Sequence, residues 1–197
     1  MAKPNIVAFA GSNRQGSMNR AALALAVSGA REAGAEVNVV DLREFEMPLY
    51  DADFHTSHGV PDSVRQLREL MRGANGLLIA SPEYNASITP LLKNTIDWLS
   101  QSVSDGIGAG GGRMPFDGKI VGLLGASAGA FGTIRALPHV SYILSNLGAI
   151  VLPVVAVPGA DKLFTPDGAI ANDRQAKMLH SLGAKVSSMA NVVVGGV

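Results

Sequence analysis

Apolar residues fall along this chain in short unbroken runs, and each run gives way to a turn and then to a stretch with helical periodicity. The runs Asn5–Ala10, Glu36–Asp41, Gly76–Ser81, Lys119–Gly125 and Ile150–Val157 are nearly continuously apolar rather than alternating. That pattern predicts strands of a parallel sheet covered on both faces. Between them, Met18–Ala33 carries Leu23, Ala26, Val27 and Ala30 on one face and stops at Gly34, a favourable residue just past a helix end. Asp62 reads as the N-cap of a helix with Val64, Leu67, Leu70 and Met71 inward, and Thr89-Pro90 as N-cap and first residue of the next, with Leu92, Ile96 and Leu99 on its buried stripe. A fourth helix spans Thr133–Leu147, with Pro138 kinking it or delaying its start. Ile170–Ala190 closes the chain with Met178, Leu179, Leu182, Val186 and Met189 inward. Strict alternation of five strands and five helices predicts an α/β, three-layer, doubly wound domain spanning residues 1–197.

Two segments interrupt the alternation. Pro48–Pro61 reads as a loop holding Tyr50, Asp51, Asp53, His55 and His58, and Ser100–Gly118 as a longer, glycine-rich one that borders the turn after the third strand. Loops of this length in a compact domain are usually functional or mobile. His55 and His58 have a metal-like spacing, but an irregular loop does not fix them and solvated side chains are the expectation.

The candidate chemistry sits in two turns, each following an apolar run at the place where open α/β sheets bind ligands. In the first, Gly11-Ser12-Asn13-Arg14-Gln15-Gly16-Ser17-Met18-Asn19, backbone N–H groups, a helix N-terminus, hydroxyls and Arg14 converge on one spot suited to an anion. Position 13 is Asn, so the dinucleotide fingerprint Gly-x-Gly-x-x-Gly fails. A serine follows Gly16 where a P-loop needs lysine. A terminal monoester phosphate, as on a mononucleotide, remains. The second turn, Ser81-Pro82-Glu83-Tyr84-Asn85, has the polar, proline-containing make-up of a wall for a flat polar ring. Trp98, Glu83 and Arg135 read more simply as a packing residue, a paired carboxylate and an ion-pair residue.

Composition narrows the partners. Sixteen basic residues balance sixteen acidic ones without a basic run, which argues against nucleic acid and acidic lipid surfaces. No segment reaches the length of a membrane span, and no signal-peptide pattern is present, so a cytoplasmic protein is the expectation. The absence of cysteine removes disulfides, thiolate metal sites and thiol redox chemistry. A charged fraction of 16% and 23 glycines point to close packing of elements, within the chain or between subunits.

Three ordered motifs carry a family resemblance: Gly11-Ser12-x-Arg14-x-x-Ser17-x-Asn19; Ser81–Asn85 with Leu92-Lys93-Asn94-x-Ile96-Asp97-Trp98; and Gly125-Ala126-Ser127-x-Gly129 with Arg135-Ala136, Leu147-Gly148-Ala149 and Leu152-Pro153. With them the chain resembles the NADPH-dependent FMN reductases of the flavodoxin-like fold, the group holding soluble quinone, chromate and azo reductases. The resemblance implies strand order 2-1-3-4-5, noncovalent FMN, NAD(P)H as cosubstrate and a homodimer or homotetramer. It implies that Ser12, Arg14, Ser17, Met18 and Asn19 hold the FMN phosphate, that Pro82, Glu83, Tyr84 and Asn85 line the ring, and that Ser127, Gly129 and Phe131 form a third wall. It assigns no side chain as catalytic acid or base. Hydride passing from NAD(P)H through FMN to quinones, free flavin, azo compounds or chromate is the expected activity. A non-enzymatic flavodoxin-like electron carrier is the alternative, though such carriers tend to be strongly acidic and this chain has no net charge. A regulatory nucleotide-binding protein would need the first turn but not the second.

Overall fold

The computed structural model describes residues 3–101, 115–163, 165 and 171–195. A parallel sheet runs through it, built from β1 (Asn5–Ala10), β2 (Glu36–Val40), β3 (Gly76–Ala80), β4 (Ile120–Ala126), β5 (Ile150–Val151) and β6 (Val155–Val157). The order is β2-β1-β3-β4-β5, with β6 also pairing β4. This is the order that the motifs implied. Registers Ile6 with Gly76, and Gly76 with Ile120, align the strands so that all end near one edge, where the two turns emerge.

The expected last strand is divided. Ile150–Val151 pairs with the start of β4 and Val155–Val157 with its end. Between them stands Pro153, which has no N–H to give a ladder. β2 departs from the expectation of burial on both faces: it is the sheet edge, and Glu36, Asn38 and Val39 are exposed.

Helices α1 (Met18–Glu32) and α6 (Asp173–Gly195) cover one face; α3 (Asp62–Arg72), α4 (Pro90–Ser100) and α5 (Ala136–Asn146) cover the other. α1 buries Leu23, Ala26, Val27 and Ala30, and the chain leaves it through Gly34 at φ 96°. In α3, Asp62 is the first helical residue rather than the cap, and Leu70 is exposed. Arg68 is buried in its place, with its guanidinium donating to the Leu99 carbonyl at 3.2 and 2.9 Å and to the Gln101 carbonyl. Val64, Leu67, Arg68 and Met71 share one side of the helix, and Leu70 lies about 100° off it. α4 starts as anticipated: the Thr89 hydroxyl accepts from the Leu92 N–H at 3.3 Å and Pro90 follows.

α5 starts three residues later than expected, which places Pro138 in its first turn, where no backbone donor is needed. Residues 133–135 thereby join the loop that begins at 127. In α6 the inward stripe is Ala176, Leu179, Leu182, Val186 and Ala190, while Met178 and Met189 are substantially exposed. The predicted start at Ile170 and most of the glycine-rich stretch Ser100–Gly118 lie outside the described residues.

Pro48–Pro61 is not wholly a loop. It contains a short helix, α2 (Ala52–His58), capped by Asp51, whose carboxylate accepts from the Phe54 N–H at 2.7 Å. His58 stacks on Phe54 at 4.4 Å, and His55 packs edge-on to Trp98 at 5.7 Å. The metal-like cluster thus resolves into a cap and ring packing.

Candidate functional site

Where β1 and β3 end, the chain crosses over itself tightly. The Gly11 N–H donates to the Ala80 carbonyl at 2.9 Å, and the Thr89 hydroxyl donates to the Gly11 carbonyl at 2.9 Å. A Cβ on Gly11 would stand 2.8 Å from Leu92 Cβ, so glycine is what lets the N-terminus of α4 seat against the first turn. Thr89 therefore both caps a helix and fixes the turn, and only the first role was legible in the sequence.

The turn then opens toward α1. Gly16 has φ 67°, and Ser17 occupies the cap position of α1 with extended backbone. Its hydroxyl makes no bond to the helix, although capping is the usual employment of serine at that place. No acidic residue lies in the first turn of α1. The Arg14 side chain is exposed and pairs with no other described residue. Ser12 is buried, and among the described residues its hydroxyl meets only the Arg14 N–H, at a long 3.4 Å. A helix N-terminus, two hydroxyls and a guanidinium thus converge with their donor capacity unspent. That donor set fits a dianionic phosphate.

The surroundings hold this cradle rigid. Arg20 donates to the Ser12 carbonyl at 2.9 Å and pairs with Asp41 at 3.3 Å, tying the turn to the end of β2. Asn19 is buried and spends its amide on Ala126, donating to its carbonyl and accepting from its N–H, both at 2.9 Å. It locks α1 to the end of β4 rather than presenting its amide to the cleft. Replacing Asn19 with alanine strands both backbone groups; a loss of about 2 kcal/mol in denaturant unfolding is the expected result.

A cleft of about 280 Å³ opens at this edge. Ser12, Arg14, Ser17, Met18 and Asn19 form one side, Pro82, Glu83 and Tyr84 a second, and Ala126, Ser127 and Ala128 a third. The structure brings together nine of the twelve residues expected there from the sequence. Tyr84 is 55% exposed and lines the cleft. Asn85 lies beyond the wall, in a tight turn with Ala86; their φ values are 50° and 62°. Gly129 accepts from the Gly159 N–H at 3.3 Å, and Phe131, 60% exposed, lies under the Arg135 guanidinium at 4.7 Å. Both stand outside the three walls, on the outer part of the 127–135 loop.

Glu83 is committed to structure. Its carboxylate accepts from Arg135 Nε at 2.7 Å and Nη2, and from the N–H groups of Arg135 at 3.1 Å and Ala136 at 3.2 Å. It caps α5, which has no cap of its own, and binds the second turn to the third. Burial pushes its pKa up, but the Arg135 hydrogen bond and charge and the Ala136 N–H outweigh it and hold the carboxyl below the ordinary value of 4.5. A depressed folded-state pKa means that the brace contributes fully above that value and is lost as the pH falls through the folded pKa. Thermal unfolding of the wild type is therefore expected to lose stability below about pH 4.5, and Glu83→Gln to flatten part of that slope.

Two further residues were missed as site-builders. Asn94 and Trp98, one helical turn apart on α4, both donate to the Pro48 carbonyl, at 2.9 and 2.7 Å, and Asn94 accepts from the Tyr50 N–H at 2.8 Å. The Asn94-x-x-x-Trp98 spacing was the available signal. Trp98 is fully buried, edge-on to Tyr50 at 5.0 Å. It pins the segment before α2 and does not face the cleft.

A 2-1-3-4-5 parallel sheet with a donor-rich turn and cleft at its C-terminal edge defines a flavodoxin-like fold. The chain belongs to the NADPH-dependent FMN reductase family, which it matches over residues 4–162. It is 36% identical over 176 residues to an NAD(P)H-dependent FMN reductase of Pseudomonas aeruginosa, covering 88% of each chain. It is 37% identical over 150 residues to a quinone reductase of Escherichia coli, covering 76% of this chain and 74% of the relative. Among solved structures, it superposes on the flavoenzyme NAD(P)H:(acceptor) oxidoreductase FerB of Paracoccus denitrificans with a TM-score of 0.76 at 22% identity, over 96% and 98% of the two chains. The protein is thus an oxidoreductase that works with FMN and NAD(P)H, and the electron-carrier alternative is set aside. No helix among the described residues is long and apolar enough to cross a membrane.

Proposed function

We propose that this enzyme reduces quinones or free flavin by two electrons, in a cleft where Ser12, Arg14, Ser17 and the N-terminus of α1 hold the FMN phosphate. The observation that carries the reading is the unspent donor set at that helix end, in one cleft with the exposed Tyr84. Met18, Pro82, Tyr84 and Ser127 line the rest, while Asn19 and Glu83 act as braces. Asn85 sets the shape of the second turn, and Gly129 and Phe131 belong to the outer rim. FMN, when bound, supplies the hydride chemistry between nicotinamide and acceptor. The chain's own work is to orient that group, offer backbone dipoles and restrict water. Glu83 has no proton to give near neutrality, because Arg135 holds it ionised. No side-chain acid is needed for this reading.

The 1–197 chain acts as one domain and forms a homodimer or homotetramer. Its low charge and the exposed Tyr84, Phe131, Ile134 and Tyr142 support association. A nicotinamide cosubstrate supports a cytoplasmic location. Azo compounds and chromate complete the acceptor panel. The test is anaerobic: purified protein loaded with FMN is mixed with NADPH or NADH, and then with benzoquinone, FMN, an azo dye or chromate. Rapid bleaching of the flavin and its reoxidation by quinone or free flavin is expected. Protein that takes up no FMN, or flavin that neither nicotinamide bleaches, refutes the proposal.

A further inference from the structure

The second turn is strained, and α5 holds it on both sides. Tyr84 and Ser87 exchange backbone hydrogen bonds, each at 3.0 Å, around Asn85 and Ala86. Both central residues have positive φ, 50° and 62°. Hairpin turns of this form favour glycine at the second central position. Alanine there costs about 1–2 kcal/mol, and such strain persists only where the surroundings over-determine the backbone. One flank is fixed by Glu83 on Arg135 and Ala136. The other is fixed by Ser87, whose hydroxyl meets His139 Nδ1 at 3.0 Å. His139 lies four residues beyond Arg135, so both anchors stand on one side of the first turns of α5.

We infer that His139 is a positioning residue: by holding Ser87 it keeps the strained Tyr84–Ser87 hairpin, and with it the wall formed by Glu83 and Tyr84, in the shape that binds flavin. A serine hydroxyl both donates and accepts, so the contact survives in either tautomer of the ring. The imidazole does not touch the cleft and acts only through Ser87. The inference rests on the proposed FMN site.

The experiment titrates apoprotein with FMN by quenching of flavin fluorescence and measures steady-state reduction of benzoquinone by NADPH. His139→Leu and Ser87→Ala are each expected to raise the FMN Kd about fivefold, the worth of one net hydrogen bond of about 1 kcal/mol. The double variant is expected to be no worse than either alone. His139→Asn, which restores a polar atom near the Nδ1 position, should return Kd to within twofold of wild type. In an Ala86→Gly background the strain is gone, and the His139→Leu loss should shrink below twofold. A merely structural histidine would lower the melting temperature in both backgrounds alike and show no such coupling. His139→Leu with unchanged Kd and kcat/KM, or losses that multiply in the double variant, would overturn the inference alone. Wild-type protein that takes up no FMN would overturn it together with the functional reading.

Discussion

Gly183→Ala is expected to destabilise the protein by about 3 kcal/mol, a large share of the about 5–15 kcal/mol that holds a typical domain together. A Cβ at this position would stand 1.7 Å from the Ala26 carbonyl oxygen and 2.9 Å from the Ala30 nitrogen. The contact is reciprocal, since a Cβ on Gly29 would lie 2.0 Å from the His180 carbonyl oxygen. α1 and α6 therefore touch backbone to backbone. Helix propensity alone would favour alanine by about 1 kcal/mol. The clash is with main-chain atoms that have no rotamer to escape into, so it wins. His180 and Glu32, 2.9 Å apart on the exposed rim of the same crossing, are too solvent-screened to compensate. Denaturant unfolding measures the effect; an unchanged or raised midpoint would mean that the helices do not meet at these glycines.

The second large effect concerns ligand rather than fold. Arg14→Ala and Ser17→Ala should each raise the FMN Kd by about ten- to a hundredfold, since hydrogen bonds to a charged group contribute about 1.5–3 kcal/mol. The melting temperature of the apoprotein should barely move. A serine at a helix N-cap ordinarily contributes about 1 kcal/mol, but the Ser17 hydroxyl accepts no bond from the N–H groups of α1, and Arg14 pairs with no other described residue. Kd from fluorescence titration and apoprotein melting, measured on the same variants, separate the two roles. Destabilised apoprotein with unchanged flavin affinity would reduce Ser17 to a cap and remove the phosphate cradle from the proposal.

Much of the fold was legible because buried parallel strands leave a strong mark. β3 and β4 are apolar along their whole length, as is β1 after Asn5, and the Gly34 and Thr89-Pro90 punctuation marks real helix ends. Of the two outcomes expected at Pro138, the structure shows the delayed start, with the proline in the first turn of α5, while Pro153 divides an apolar run that reads as one strand. β2 carries Glu36 and Asn38, which the edge place given by the strand order leaves exposed, and Leu70 yields its place to Arg68, whose charge finds carbonyls at the end of α4. The edge place of β2 and the burial of Arg68 are not properties of a local window.

The site divides in the same way. The sequence by itself determined the two turns, their residue types and the anion that the first can take, because glycine, hydroxyls and a following helix make a phosphate cradle wherever they follow a buried strand. Only the tertiary structure decided which of those residues are free to bind. The family resemblance makes Asn19 and Glu83 ligands, yet the hydrogen bonds of Asn19 are spent on Ala126, 107 positions away, and Glu83, read from its residue type as a paired carboxylate, is spent on Arg135, 52 positions away. Whether a polar side chain has capacity left for a ligand depends on partners that folding brings near, and those partners are distant in the chain.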